Sequence, residues 1–521
     1  MFGKKVFITA CLICFSFVLV MNQAKAATFS SYEKTIPEIN NALQSKQITS
    51  EKLVQYYLER IKVYDKVLNS LISVNPKALQ EAKRLDDMRA QGKILGPLHG
   101  VPIILKDNYN TSDMVTTSGA KAFAKLQPKT DAFTVTKLRN AGAIIIAKAN
   151  LTEIARHGMT VSSMSGQTLN PYDLTRTPGG SSGGTGASIA ANFAAAGTGS
   201  DTVNSIRSPA SANSLVGLRP TRGLVSRTGI SPCSEFQDQG GPITRSVVDA
   251  AIMLNAMAGY DPADSTTEAV KGKKLPDYAA TLKQDGLKNK KIALLTTNLG
   301  NDPEVTRIVR QAVNDIKKLG ATVVEIDVPE LLVSTLIKEN DVQQWEQKID
   351  LNKYLAALGS AAPVKNIEEY VATGLLTPSI AKDMAGKAAE KAPEHNPQYL
   401  ARLKKNAELK ALTEKLMRDQ GIDAFFYPHQ TMLVAQTNDP RGQAGRNGLM
   451  ASLTGLPALT LPGGFSSPTD SAPLGVPIGV EFMGLPFSEE SLLSMGYTYE
   501  QATKRRKAPL SVPDLDFSSV K

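Results

Sequence analysis

The sequence predicts an α/β fold: a sheet that is at least partly parallel, with helices packed on its faces. Three observations carry that expectation. Short, wholly apolar runs such as Gly100-Val101-Pro102-Ile103-Ile104-Leu105 and Ala143-Ile144-Ile145-Ile146-Ala147 have the length and β-branched content of strands buried on both faces. Residues 291–295, 302–319 and 321–326 spell strand, helix, strand, the unit that joins parallel neighbours. The apolar strand pattern returns at 424–428, 458–462 and 478–482, so one sheet continues from the middle of the chain to its end.

At the start of the chain, Lys4 and Lys5 precede a largely apolar run from Val6 to Val20, and Ala24-Lys25-Ala26 follows it. The run is shorter than the roughly 20 residues that span a bilayer, and a small-x-small motif closes it, so residues 1–26 read as a signal peptide cleaved after Ala26. Too few apolar residues precede Cys11 for Ile8-Thr9-Ala10-Cys11 to serve as a lipoprotein cleavage box. The expected mature chain, 27–521, is secreted or held in the cell envelope without stable membrane insertion. Cys11 and Cys14 leave with the leader, so Cys233 remains alone and no intrachain disulfide forms. Its neighbours Pro232 and Ser234 supply no base, which makes it a buried structural thiol.

The net charge is +10, and Lys4, Lys5 and Lys25 account for part of it. The remaining basic residues are scattered rather than gathered in a stripe with aromatics, which argues against nucleic acid as a partner. The cluster Lys504-Arg505-Arg506-Lys507 reads as a solvated helix end.

Residues 28–94 read as helices that wrap the core, with apolar spacing at Ile36, Ile39 and Leu43 and again at Leu53, Tyr57 and Ile61. The strand ending at Leu105 delivers Lys106-Asp107-Asn108 at its tip. A Gly/Ser loop, Gly179-Gly180-Ser181-Ser182-Gly183-Gly184-Thr185-Gly186, precedes a small-residue run from Ala187 to Ala196 that reads as a closely packed helix. Residues 330–418 turn helical and charged, with a long helix from Glu394 to Arg418, and read as an insertion or lid.

Hydrolysis of an unactivated amide requires a nucleophile, a base, an acid for the leaving nitrogen and donors for the oxyanion. Histidine is the usual base, but none of His99, His157, His395 and His429 has a serine partner by local motif. Gly180-x-Ser182-x-Gly184 has the spacing of a nucleophile elbow, yet no strand directly precedes it. A phosphate-binding loop is excluded because no Lys-Ser or Lys-Thr closes the glycine run.

Downstream stand Gly199-Ser200-Asp201-Thr202-Val203-Asn204-Ser205-Ile206-Arg207-Ser208-Pro209-Ala210 and then Gly217-Leu218-Arg219-Pro220-Thr221. With the Gly/Ser loop and the upstream Gly100-Val101-Pro102-x-x-x-Lys106-Asp107-Asn108, they resemble the amidase-signature family in composition, spacing and order. The similarity runs from about 35 to 260 and resumes at 420–505. The resemblance implies an α/β/α sandwich around a large mixed, mostly parallel sheet, with residues 27–521 as the catalytic domain and 330–418 as its helical insertion.

It further implies Ser205 as nucleophile, Ser181 as bridging serine after a cis Gly180-Ser181 bond, and Lys106 as base. The backbone N–H groups of Thr202, Val203, Asn204 and Ser205 would hold the oxyanion, with Ser182, Asp201 and Arg207 in support. No metal or cofactor is called for. The expected substrate is a small-molecule or peptide amide, cleaved to a carboxylate and ammonia or an amine. Burial agrees with the lysine's role, because desolvation disfavours its charged form. Where most of the family has Gly-Gly, this chain has Val203-Asn204, and valine disfavours backbone angles that glycine takes freely. Two further readings share these motifs: a catalytically weak binding or assembly subunit, and the glutaminase subunit of an amidotransferase.

Overall fold

The computed structural model describes residues 29–515. The expected leader, 1–26, lies outside them. The strands are β1 (Leu71–Val74), β2 (Pro102–Lys106), β3 (Ile144–Ala149), β4 (Val161–Ser162), β5 (Gly166–Gln167), β6 (Ala196–Asp201) and β7 (Val216–Arg219). They continue as β8 (Gln239–Thr244), β9 (Lys291–Leu295), β10 (Thr322–Ile326), β11 (Ala424–Pro428), β12 (Ala458–Phe465) and β13 (Pro477–Met483). Apart from the β4–β5 hairpin they form one 11-stranded sheet in the order β1-β3-β2-β6-β8-β7-β12-β13-β11-β9-β10.

The sheet is mixed, and its parallel order lies in two flanks. β3, β2 and β6 run parallel on one side and β11, β9 and β10 on the other. Between them β6, β8, β7, β12, β13 and β11 alternate direction. The apolar runs read from sequence became β2, β3, β9, β10, β11, β12 and β13. β1 interrupts 28–94, where the sequence reads only helices. β6 and β8 are rich in glycine and polar residues and β7 spans only four residues, so these three carry little hydrophobic signal, yet they are fully buried.

Helices cover the sheet. Ile36–Gln44 starts in a capping box, with the Thr35 hydroxyl accepting from Glu38 N and the Glu38 carboxylate accepting from Thr35 N. Ser50–Leu68 and Pro303–Lys318 bury one apolar face each, through Leu53, Tyr57 and Ile61 and through Val305, Ile308, Val309, Ala312 and Ile316. Between 330 and 418 the chain is helical, including Gln343–Leu358, Pro378–Ala388 and the start of Pro397–Asp419. Among the described residues no helix is long and apolar enough to cross a membrane.

Two local expectations are corrected. The small-residue helix spans Gly183–Ala190, and Ala196 opens β6. The turn between them passes through Asn192 at φ +57°, and buried arginines satisfy its carbonyls: Arg60 donates to Ala191 O at 2.8 Å and Arg245 to Ala194 O at 2.7 Å. Alanine favours a helix by propensity, and here tertiary contacts, those two arginines among them, hold residues 191–196 in a turn and a strand instead. The basic cluster after Thr503 is only partly a solvated helix end: Lys504 and Lys507 are exposed, and the two arginines between them are not. Arg505 pairs with Asp315 and Arg506 with Glu33 at 2.7 Å, tying the end of the described chain to its beginning.

Candidate active site

Lys106 is the last residue of β2 and is fully buried. Its Nζ lies 2.8 Å from Ser181 Oγ, 2.8 Å from Ser200 Oγ and 3.2 Å from Ser200 O. No carboxylate lies within ion-pair distance of it among the described residues. Burial pushes its pKa down to about 7, against weaker upward pulls from Asp238 and Asp201. Burial thus shifts this lysine toward its neutral form, the form a base requires.

Ser181 sits at the mouth of the Gly/Ser loop, after a cis Gly180–Ser181 peptide bond. The glycines let that loop approach its neighbours. A Cβ on Gly184 would stand 2.2 Å from Asn150 O, and Gly179 adopts φ +75°. Ser205 lies between β6 and the short helix Arg207–Ala212, 6 % exposed. Its loop meets the Gly/Ser loop through Ser182 N, which donates to Ser205 O at 3.3 Å. Ser182 Oγ donates to Ser200 O at 3.3 Å. The hydroxyls of Ser181 and Ser205 are not hydrogen-bonded to each other.

A buried ionic network fixes the Ser205 loop. Asp201 accepts from Ile206 N at 3.1 Å, from Arg207 Nε at 3.0 Å and from Arg219 Nη1 at 2.9 Å. Arg207 also donates to Glu481 Oε1 at 2.7 Å and to Val203 O at 2.7 Å. Burial alone would raise the Asp201 carboxyl, but Arg207 and Arg219 hold it well below the usual carboxylate range. Glu481 is held at about 2 in the same way, with Arg207 and His429 outweighing its burial.

The amides of Thr202, Val203, Asn204 and Ser205 donate to no protein acceptor among the described residues. Neither Val203 nor Asn204 has a positive φ. The loop at the family's Gly-Gly position thus uses backbone angles that valine and asparagine adopt without strain.

Sequence reasoning missed Ser200, Asn108 and Asp238. Ser200 Oγ accepts from Lys106 Nζ and, at 2.9 Å, from Asn108 Nδ2, while Thr198 Oγ1 accepts from Lys106 N at 3.2 Å. The two-residue period of β6 puts 198 and 200 on one face, a signal available only once β6 is recognised as a strand. Asp238 accepts from Cys233 N at 2.8 Å and Ser234 N at 3.0 Å. Cys233 is buried and burial pushes its thiol up to about 11, consistent with an unreactive side chain.

The histidines lie apart from these serines. His99 is buried with its ring against Leu85 O at 3.0 Å, and His429 bonds Glu481 at 2.6 Å. His157 and His395 lie beside Asp383 and Glu394 at the surface.

A cavity of about 320 Å³ opens beside Ser200 and Asp238. It is also lined by Ile230, Gln239, Lys353 and Tyr354. The last two belong to the helix Gln343–Leu358, which docks on the loop 231–238. There Glu346 accepts from Phe236 N at 3.0 Å and Asp350 from Glu235 N at 2.7 Å. The helical segment thus forms one wall of the pocket.

A family model described as Amidase matches residues 52–493. A glutamyl-tRNA(Gln) amidotransferase subunit from Moorella thermoacetica is 36% identical over 497 residues, covering 92% of this chain and 99% of that protein. Native peptide amidase from Stenotrophomonas maltophilia superposes with a TM-score of 0.85 at 33% identity, covering 92% of this chain and 98% of that one. An amidase family protein from Bacillus anthracis str. Ames gives a TM-score of 0.80 at 30% identity, covering 92% of each chain. The match of sequence and fold over nearly the whole described chain means that this protein belongs to the amidase-signature family, enzymes of amide C–N bond hydrolysis.

Proposed function

We propose that this protein hydrolyses a linear carboxamide through an acyl-enzyme on Ser205. The observation that carries the reading is the buried Lys106, bonded to Ser181 at 2.8 Å and paired with no carboxylate among the described residues. Ser205 Oγ bonds to the amide carbon while its proton passes through the Ser181 hydroxyl to neutral Lys106. The unpaired amides of 202–205 receive the oxyanion. The C–N bond breaks as Lys106 returns the proton, by way of Ser181, to the departing nitrogen. Water then cleaves the ester, restoring Ser205 and releasing the carboxylate. The relay requires the Ser205 hydroxyl to turn toward Ser181 when substrate arrives, since hydrogen bonds of a catalytic relay often close only in the complex.

The test is ammonia or amine release by residues 27–521 from a panel of aliphatic and peptide amides, with a serine-reactive phosphonate as a probe of Ser205. Release together with labelling at Ser205 is expected. Absence of both would move the protein to the binding or assembly reading. The leader-like residues 1–26 support export, which detection of the processed protein outside the cytoplasmic membrane would test.

A second reading, a glutaminase subunit, is favoured by the 36% identity to the Moorella amidotransferase protein. It predicts copurification with other subunits and activity confined to glutamine in that assembly. A monodisperse single chain that hydrolyses other amides would remove it.

A further inference from the structure

Asp238 directly precedes β8, which runs antiparallel to β6 with Asp201 opposite Gln239 and Ser200 opposite Gly240. The same register carries Asp238 to Thr202, whose hydroxyl donates to Asp238 Oδ1. The other carboxylate oxygen accepts from Cys233 N at 2.8 Å and Ser234 N at 3.0 Å. Asp238 is buried and has no cation within ion-pair distance among the described residues. The basic groups of the same cavity are engaged elsewhere: Arg227 with Asp264 at 2.7 Å, and Lys353 with Glu235 at 3.7 Å and Asp350 at 3.5 Å. Glu346, which accepts from Phe236 N at 3.0 Å, adds further negative charge against this loop.

Lys106 is the complement, a buried amine with no anion in contact. Ser200 links the two, since its Oγ lies 2.8 Å from Lys106 Nζ and it lines the cavity that Asp238 also lines. Two other carboxylates stand close to Lys106 in chain or sheet, and both are neutralised. Asp201 is held by Arg207 at 3.0 Å and Arg219 at 2.9 Å, and Asp107 turns to Lys148 at 3.1 Å. Burial lowers the Lys106 amine, and of the charges that oppose it Asp238 pulls hardest, ahead of Asp201 and Cys233. Burial raises the Asp238 carboxyl in turn, while Thr202, the amides of Cys233 and Ser234, and Arg227 favour its ionised form. A desolvated anion without a cation is costly to keep, and an amine that becomes charged during the reaction gives it a use.

We propose that Asp238 is a positioning residue of the hydrolysis: its negative charge, at the cavity it shares with Ser200, stabilises the ammonium formed when Lys106 takes the Ser205 proton through Ser181. The proposal rests on Ser205 as nucleophile and Lys106 as base, and adds the group that sets the strength of that base. Asp238 neither gives nor takes a proton. The proton moves from Ser205 Oγ by way of Ser181 to Lys106 Nζ and leaves on the departing nitrogen, and Asp238 acts by Coulomb attraction while Nζ carries it.

The experiment is the pH profile of Ser205 labelling by a serine-reactive phosphonate, in the wild type and in Asp238→Asn. Asparagine keeps the size and can still accept from the two amides while the Thr202 hydroxyl turns to accept, so the substitution removes the charge and little else. A unit charge beyond contact distance, at an effective dielectric constant of about 20, moves a neighbouring pKa by about one unit. Loss of the anion weakens the hold on the ammonium, so the midpoint should fall from near 7 by about one pH unit. The weaker base should also lower the alkaline plateau about threefold. The two profiles therefore cross, with the variant about twofold faster at pH 6 and about threefold slower at pH 9. Asp238→Glu, which keeps the charge, should retain the wild-type midpoint. An aspartate that only holds the loop would slow labelling at every pH and leave the midpoint of Asp238→Asn unchanged, which overturns the proposal. If Asp238→Asn does not fold by circular dichroism, Asp238→Ser, which leaves room for water among the three donors, is read by the same crossing. Absence of labelling in the wild type removes the nucleophile assignment as well, whereas labelling with an unshifted midpoint removes this proposal alone.

Discussion

Lys106 and Lys148 lie on neighbouring strands, both fully buried, and they have opposite surroundings. β2 and β3 run parallel with Leu105 beside Lys148 and Lys106 beside Ala149. That single step of register sends the two side chains to opposite faces of the sheet. On one face the Lys106 ammonium group bonds, among the described residues, only hydroxyls and a carbonyl. On the other Lys148 pairs with Asp107 at 3.1 Å and donates to Tyr109 O at 2.9 Å and Thr116 Oγ1 at 3.0 Å. Burial lowers the pKa of both, but Asp107 holds Lys148 toward its charged form, whereas Lys106 falls to about 7. Burial without an anion is what lowers an amine furthest toward its neutral form.

The difference can be broken most severely at Ser205, the proposed nucleophile. Ser205→Ala should lower kcat by roughly a millionfold, the scale seen when the nucleophile of a serine hydrolase is removed. Its melting temperature should stay close to that of the wild type by circular dichroism. Substantial activity in this variant would take the chemistry away from the Ser181–Lys106 face altogether.

The two lysines should then separate by kind of damage. Lys106→Met should cost roughly a hundredfold to ten-thousandfold in kcat, the span of general acid–base catalysis, and leave stability intact because no buried anion is orphaned. Lys148→Met should do the reverse. It strands Asp107 in the core and lowers unfolding free energy by about 3–5 kcal/mol, with kcat per folded molecule little changed. Denaturant titration beside single-turnover rates tests both, and equal stability losses would dissolve the distinction.

The pH dependence sharpens it further. In the proposed mechanism the base is the neutral amine of Lys106, which is protonated below its pKa, so kcat should rise with pH through a midpoint near 7 and level off above it. Below the midpoint the slope is about tenfold per pH unit. A flat profile from acid to alkaline pH, or an optimum in the carboxylate range, would exclude Lys106 as the titrating group. The smallest expected effect is that of Ser200→Ala. It removes one of three contacts to Lys106 Nζ and should lower kcat about fivefold, the size of one neutral hydrogen bond. A loss as large as that of Lys106→Met would promote Ser200 from positioning to proton transfer.

Apolar runs marked β2, β3 and the strands after residue 290 because burial on both faces leaves no polar alternation to disguise them. β6 and β8 escaped notice because they carry glycine, serine and threonine where close contacts leave no room for larger side chains, and β7 because its four residues are too few to show a pattern. A Cβ on Gly199 would stand 2.9 Å from Ile206 Cγ1, and one on Gly241 2.2 Å from Leu218 O. The strands that build the site are thus the least conspicuous in hydrophobic pattern, and the family motif, not periodicity, revealed their loops. The Val203-Asn204 departure looked like a conformational problem in sequence and is none in space, since neither residue has a positive φ.

By itself the sequence determined the α/β class, the Gly/Ser loop and the family motif containing Lys106, Ser181 and Ser205, because local propensity and fixed spacing are written along the chain. Tertiary structure decided which buried lysine lacks an anion, that Ser200 completes its cage, and that Arg446 reaches Asn204 from 242 residues away. Those facts depend on strand register and on loops brought together by the sheet order, and the energetics of a buried charge depend on all of its neighbours at once.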